Sequence, residues 1–280
     1  VHGCTMNTTW VWANSYTKNG LYGSVMVRPD AASAQARASL DLNRLGFEVK
    51  AITDAKADVA VLDTLSSQCL DRIFENVSFN VWQSSVYSGQ RTDFITEKQC
   101  TEGKLGQYKV LLVPKCDRAN EKTLEAIRNF AANGGRVIMF GEDCLKTDEY
   151  GNAFDAALYE PIYQSAKVIP ITWEKLSMLT PTNKELRDML WNEYAALGMN
   201  NVRIADAETG ETIYDVEWES VSYDGGTLIS INNYSWLQKP EVVIEVNGEK
   251  VSEFTELRSR EKKDGKIVLN PYEPVLIKVN

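Results

Sequence analysis

"YKVLLVPKCDRANEKTLEAIRNFAANGGRVIMFGED" (residues 108–143) joins two apolar runs through one amphipathic segment. The runs "VLLVP" and "RVIMF" have almost no polar positions, which is the mark of strands covered on both faces of a parallel sheet. Between them Asn120 is placed to cap a helix, Leu124, Ile127 and Ala131 line one of its sides, and Gly134-Gly135 supplies its stop. Strand, helix and strand in that order form a right-handed βαβ unit. Upstream, "DVAVLD" (58–63) is a further buried-type strand and "TDFIT" (92–96) a short one, with a helical segment around 66–88 between them. The predicted class is therefore α/β, with a flavodoxin-like, doubly wound parallel sheet.

Periodicity changes on either side of this unit. Residues 1–23 give a strand-like run, "TTWVWANSY", and a Gly-containing turn. "SVMVRPDAASAQARASLDLNRLGFEVKAI" (24–52) then predicts one long helix with Leu40, Leu42, Leu45, Phe47 and Val49 on its apolar face. After about residue 168, "TPTNKELRDMLWNEYAALG" (180–198) predicts another helix, with Thr182 and Glu185 spaced as a capping box and Leu186, Met189, Leu190 and Leu197 on one face. Short runs follow, such as "NVRIAD", "TLISINNY", "EVVIEVNG" and "PVLIKVN", divided by turn signals such as "ETGE", "YDGG" and "KDG". That is the spacing of an antiparallel β-sandwich. The chain thus divides into 1–56, 57–180, and 181–280, the last being a linking helix and the sandwich.

Composition narrows the partners. Over 280 residues the net charge is −9 and the pI is near 4.9, with no basic block, which disfavours nucleic acid and anionic membranes. No apolar run approaches the ~20 residues that cross a bilayer. Five widely spaced cysteines (Cys4, Cys69, Cys100, Cys116, Cys144) without a CxxC pair suggest free thiols in a reducing, cytoplasmic setting rather than disulfides or a metal site. The sequons at Asn7, Asn76 and Asn233 are short enough to arise by chance. No cofactor is expected, because the turn "TLSSQ" after "DVAVLD" has no glycine to cradle a phosphate, and Ser66 and Ser67 read instead as caps of the next helix. The chain opens without Met and enters a strand-like run at once, so residue 1 is not expected to be the natural start.

Chemistry-bearing residues are sparse. Cys144 stands at the exit of a buried strand, where α/β domains carry reactive groups, but a cysteine hydrolase needs a histidine base. The chain has one histidine, His2, in a separate stretch. Glu142 and Asp143 would raise the thiol pKa by repulsion, away from a nucleophile. Carboxylates are plentiful, but sequence does not locate a pair suited to glycoside hydrolysis, and "DVEWES" (215–220) and "GED" fall in different domains. Trp10 and Trp12, with Asn14 on the same strand face, suit either a platform lining a sugar site or a packed core.

In the order "DVAVLDTLSSQ", "RTDFITEKQ", "YKVLLVPKCDRANEKTLEAIRNFAANGGRVIMFGED", the chain resembles the C-terminal portion of clan A glycoside hydrolases similar to the family 42 β-galactosidases. That resemblance implies the end of a (β/α)₈ barrel over 1–56, a trimerisation domain shaped like a class I glutamine amidotransferase over 57–180, and a C-terminal β-sandwich. It also implies that the catalytic glutamates precede Val1, so no catalytic residue is carried over. The implied partners are carbohydrate held by the parent barrel, that missing barrel portion itself, and further copies in a homo-oligomer, a trimer being the family arrangement. Amidotransferases carry a Gly-x-Cys-x-Gly elbow where this chain has Gly141-Glu142-Asp143-Cys144-Leu145. The cysteine is displaced and the second glycine is missing. Two other functions remain open: a carbohydrate-binding module using Trp10, Trp12 or an exposed Trp236, and a cysteine amidohydrolase.

Overall fold

The structure, a computed structural model, describes residues 28–71, 73–170 and 182–280. The strand expected in "TTWVWANSY" lies outside the described residues. Helix α1 (Pro29–Arg44) begins on a proline, whose missing N–H is one the first turn leaves unpaired anyway. Helix α2 (Gly46–Thr53) follows after a break at Leu45. The long helix expected over 24–52 is thus two, because Leu45 leaves helical geometry just ahead of Gly46, a poor helix former. The expected apolar face divides as well. Leu45 and Ile52 are buried against the sandwich, whereas Leu40, Leu42 and Phe47 are exposed.

Next comes the α/β layer: β1 (Val59–Asp63), α3 (Leu65–Leu70), α4 (Phe74–Val86), β2 (Thr92–Thr96), α5 (Glu97–Thr101), β3 (Val110–Pro114), α6 (Glu121–Ala132), β4 (Arg136–Phe140), α7 (Ala156–Ser165) and β5 (Lys167–Ile169). The five strands are parallel in the order β2-β1-β3-β4-β5, the flavodoxin-like winding. Asn120 caps α6 as expected, its Oδ1 accepting from the Thr123 N–H at 2.9 Å. Ser66 and Ser67 do not cap. They lie inside α3, and the Ser67 hydroxyl donates to the Arg118 carbonyl at 3.0 Å while accepting from the Arg118 N–H at 3.1 Å, which pins the loop after β3.

Helix α8 (Thr182–Ala196), read from sequence as a link, packs across the parallel sheet. Leu186, Leu190 and Tyr194 meet Val59, Val61, Val110 and Phe140 in one core. The Tyr194 hydroxyl lies 2.7 Å from Ser85 Oγ, and Asn183 donates to Asn80 at 2.7 Å, so α8 is also tied to α4 by buried polar pairs. Leu197, expected on the buried face, is exposed just beyond the helix, and the Thr182 side chain lies outside the described residues.

The remainder is antiparallel: β6 (Val202–Asp206), β7 (Val216–Tyr223), β8 (Gly226–Asn233), β9 (Glu241–Val246), β10 (Glu249–Lys250), β11 (Phe254–Glu256), β12 (Glu261–Lys263), β13 (Lys266–Val268) and β14 (Val275–Val279). In one sheet β9 pairs with β6, β10 and β13; the other runs β12-β11-β14-β8-β7. Residues such as Ile204, Ile229, Ile231, Ile244 and Ile277 fill the core between them. Helix α2 covers the outer face of the second sheet, where Leu45 and Ile52 meet Leu228 and Leu276.

One side chain joins the layers. Trp218 on β7 is buried, and its indole N–H donates to the Val202 carbonyl at 3.1 Å. Its ring lies 6.0 Å from that of Trp191 on α8. Gly89, after α4, has φ +71, and a Cβ there would sit 2.2 Å from the Trp218 indole nitrogen. Only glycine meets both demands.

Two outcomes test this packing. Gly89→Ala should destabilise the protein by ~3 kcal/mol or more, combining left-handed backbone strain with overpacking. Gly225→Ala, with φ +78 but nothing within 4 Å of the added carbon, should cost only ~1 kcal/mol; urea denaturation of both variants checks the difference. The second concerns Glu193, which pairs with Lys167 at 2.6 Å and Arg136 at 2.9 Å. Burial opposes its charge, but these two cations outweigh it and hold its carboxyl below the usual range. A carboxylate with a lowered folded pKa stabilises above its unfolded value, about 4.3, and loses that contribution as pH falls through the folded one. Glu193→Gln should therefore reduce stability at pH 7 and leave it nearly unchanged near pH 2, as followed by thermal melts.

Candidate functional site

The carboxyl ends of β1, β3 and β4 are where a doubly wound sheet ordinarily offers a crevice to ligands. Here protein fills that position. Lys115, at φ 46, turns the chain after β3 and pairs with Asp117 at 2.6 Å. After β4, Gly141 at φ 119 and Leu145 at φ 62 bend the chain so that Cys144 points inward and is wholly buried. Its Sγ lies 3.4 Å from the Phe140 carbonyl and 3.6 Å from that of Val113. The Tyr163 hydroxyl, from α7, sits 2.7 Å from the Cys144 carbonyl and 2.9 Å from the Glu142 carbonyl, closing the turn from outside.

Burial, followed by the charge of Asp117, pushes the Cys144 thiol up to about 12. The direction agrees with the sequence expectation, but the cause differs. Glu142 and Asp143 face solvent and are not among the leading causes of the shift. Cys116 is raised as well, again first by burial. The described residues include no histidine, and His2 lies outside them. An enclosed thiol held protonated, with no histidine beside it among the described residues, lacks the arrangement that activates a nucleophile.

A second cluster forms where β7 faces α2. Trp218 points into the sandwich, so Glu217 and Glu219 share the opposite face of the strand, and both are buried. Positions two apart on a strand are about 7 Å apart, within the range of glycosidase carboxylate pairs, about 5–10 Å. Access, not spacing, argues against catalysis here. The Arg91 guanidinium donates to Glu219 at 3.2 Å and to the carbonyls of Ile52 at 2.6 Å and Thr53 at 2.8 Å at the end of α2. Tyr234 is hydrogen-bonded to Glu217, and its phenol is pushed up to about 12 by burial first and this carboxylate second. The carboxylates serve as anchors for neighbouring elements.

Trp10, Trp12 and Asn14, the residues expected to line a sugar site, lie outside the described residues. An aromatic series that sequence did not assemble runs elsewhere. Tyr87 lies 5.3 Å from Tyr214 and 6.2 Å from Tyr234; Tyr234 lies 6.2 Å from Tyr272; Tyr272 lies 5.0 Å from Trp236. The series begins where the parallel layer meets the sandwich and ends in solvent. Its one legible signal was Trp236 in the polar turn "NNYSWLQKP". Asn233, one of the sequons, is buried and its amide is fully used inside the protein, which makes it a poor glycosylation acceptor. Among the described residues no group of three or more His, Cys, Asp or Glu could hold a metal ion, and no helix is long and apolar enough to cross a membrane.

No family model and no curated protein matches the sequence. Solved structures do. The apo exo-carrageenase GH42 from Bacteroides ovatus aligns over 94% of this chain and 34% of its own, at 18% identity and a TM-score of 0.74. A catalytic mutant of Gan42B, a GH42 β-galactosidase from G. stearothermophilus, aligns over 96% of this chain and 47% of its own, at 14% identity and a TM-score of 0.65. The β-galactosidase from Bacillus circulans sp. alkalophilus gives 86%, 45%, 12% and 0.53 in the same terms. This chain spans between a third and a half of the length of these proteins. A parallel α/β layer followed by an antiparallel sandwich, in this order and packing, is thus the fold of a portion of the GH42 glycoside hydrolases.

Proposed function

We propose that this chain is the assembly and accessory region of a glycoside hydrolase resembling the GH42 β-galactosidases, with the catalytic glutamates in a barrel upstream of residue 1. The observation that carries this is the coverage. Nearly all of the chain is used in the alignments, but under half of each GH42 protein. The surface supports it. Helices α1 and α2 rest on the sandwich by one side only, and Leu40 at 69% and Phe47 at 81% exposure face outward, a surface suited to the rest of a barrel. Catalytic chemistry is then the parent's, and carbohydrate is met through that barrel.

Assembly with further copies has its own support. Strand β2 is an edge of the parallel sheet. Phe94 on it stacks on Trp82 at 6.3 Å, Phe79 lies 5.8 Å from Trp82, and both phenylalanines reach the surface. An aromatic patch on an open edge strand favours pairing between copies, and a homo-oligomer, in the GH42 manner a trimer, is the proposed state.

Three measurements test these statements. The full reading frame should hydrolyse β-galactosides and residues 1–280 alone should not; hydrolysis by this chain alone, lost in Glu217→Gln or Glu219→Gln, would overturn the assignment. Light scattering should show an oligomer that Phe94→Asp shifts toward monomer, whereas a monomer at every concentration would refute assembly. Thiol titration of the native protein should find exposed Cys69 reacting orders of magnitude faster than Cys100, Cys116 and Cys144, all buried. A fast-reacting Cys144 would instead revive an amidohydrolase.

A further inference from the structure

The loop between β8 and β9 holds large apolar side chains in solvent on a rigid base. Asn233, at its root, uses its whole amide. Nδ2 donates to the Gln238 carbonyl at 2.8 Å and to the Leu269 carbonyl at 3.0 Å, and Oδ1 accepts from the Ser235 N–H at 3.0 Å. Ser235 Oγ then accepts from the Gln238 N–H at 3.1 Å. The Tyr272 N–H donates to the Asn233 carbonyl at 2.8 Å, so the loop bearing the second ring is fixed to the same residue. On this frame Trp236 is 81% exposed, Leu237 92% and Tyr272 50%. Large apolar groups held in water by a built loop mark a binding surface.

The rings lead somewhere. Trp236 and Tyr272 meet at 66° with centroids 5.0 Å apart, Tyr272 and Tyr234 meet at 78° and 6.2 Å, and Tyr234 forms part of the wall of a cleft of about 340 Å³ between α1–α2 and the sandwich. Leu42, Val49 and Leu276 give this cleft apolar walls, and Ser230, Asn232 and Arg258 supply hydroxyl, amide and guanidinium groups. Rings stepping from solvent to a cleft with a few convergent polar groups suit a ligand with apolar faces and hydroxyl edges repeated along its length.

We propose that the track Trp236–Tyr272–Tyr234 and the cleft it enters form an accessory binding site for an extended saccharide chain, with pyranose faces stacking on the rings and hydroxyls reaching Asn232, Ser230 and Arg258. A protein partner fits less well. At 150–250 Å² per aromatic side chain, the partly exposed rings and Leu237 offer roughly 500 Å², short of the ~800 Å² a stable protein interface takes from each side. The site belongs wholly to this chain, so it is independent of where the catalytic carboxylates lie, and its failure would leave the proposed function standing.

Affinity electrophoresis of the whole chain in gels containing β-1,4-galactan, κ-carrageenan, xyloglucan or mixed-linkage β-glucan tests it. At least one polysaccharide should retard the protein, and Trp236→Ala and Tyr272→Ala should each weaken that retardation about tenfold, with thermal melts confirming that both variants fold. Asn232→Ala should weaken it by a smaller factor. Failure of every polysaccharide to retard the chain, or retardation unchanged in Trp236→Ala, would overturn the proposal. So would a dimer in light scattering that Trp236→Ala abolishes and that no polysaccharide accompanies, because the patch would then belong to a protein contact.

Discussion

The indole of Trp218 is the constraint on which the arrangement of this protein depends. It lies where the α/β layer and the sandwich meet, and each side contributes to its enclosure: Gly89 from the turn after α4, Trp191 from α8, and the Val202 carbonyl from the first sandwich strand. Full burial of an aromatic side chain of this size contributes roughly 1.5–3 kcal/mol, and the hydrogen bond to Val202 satisfies the indole N–H, which would otherwise be costly to bury. The ring lies where a Cβ on residue 89 would fall, so this close approach requires glycine there. The parallel layer and the sandwich meet through a shape match, and the polar contacts around it, Arg91 with Glu219 and Ser88 with the Arg187 carbonyl, reinforce a position already set.

Much of the α/β layer was legible because burial on both faces leaves a simple trace. The runs containing Val59–Asp63, Val110–Pro114 and Arg136–Phe140 could hardly be anything but central strands, and Asn120 and Gly134 bracketed α6 by turn chemistry alone. What escaped had weak local signals. Helix α7 carries Pro161, β5 is three half-buried residues, and β10 to β12 are strands of two or three residues whose pairing is decided by their neighbours. The division of α1 from α2 was missed because Leu40, Leu42 and Phe47 look like a buried face when only their spacing is considered.

The candidate sites divide in the same way. That the chain lacks a Gly-x-Cys-x-Gly pattern could be read from Gly141 to Leu145, where the cysteine is displaced and the second glycine is missing. Why the thiol is held protonated could not, because the first cause is burial among the strand carbonyls beneath Tyr163, not the acidic neighbours visible in the sequence. Tyr87, Tyr214, Tyr234, Trp236 and Tyr272 are spread over 186 positions of chain, and no periodicity gathers them. Only Trp236, a large indole in a polar turn, announced itself.

The docking of α2 on the sandwich has a consequence for the way the molecule is made. Leu45 and Ile52 rest on Leu228 and Leu276, so α2 finds its seat only after strands roughly 180 to 220 positions further along the sequence have emerged from the ribosome. Synthesis at ~5–20 residues per second leaves that apolar side uncovered for ten seconds or more. During this interval the nascent polypeptide offers a ready target to chaperones, and closure of α2 onto β8 and β14 is the event that removes it.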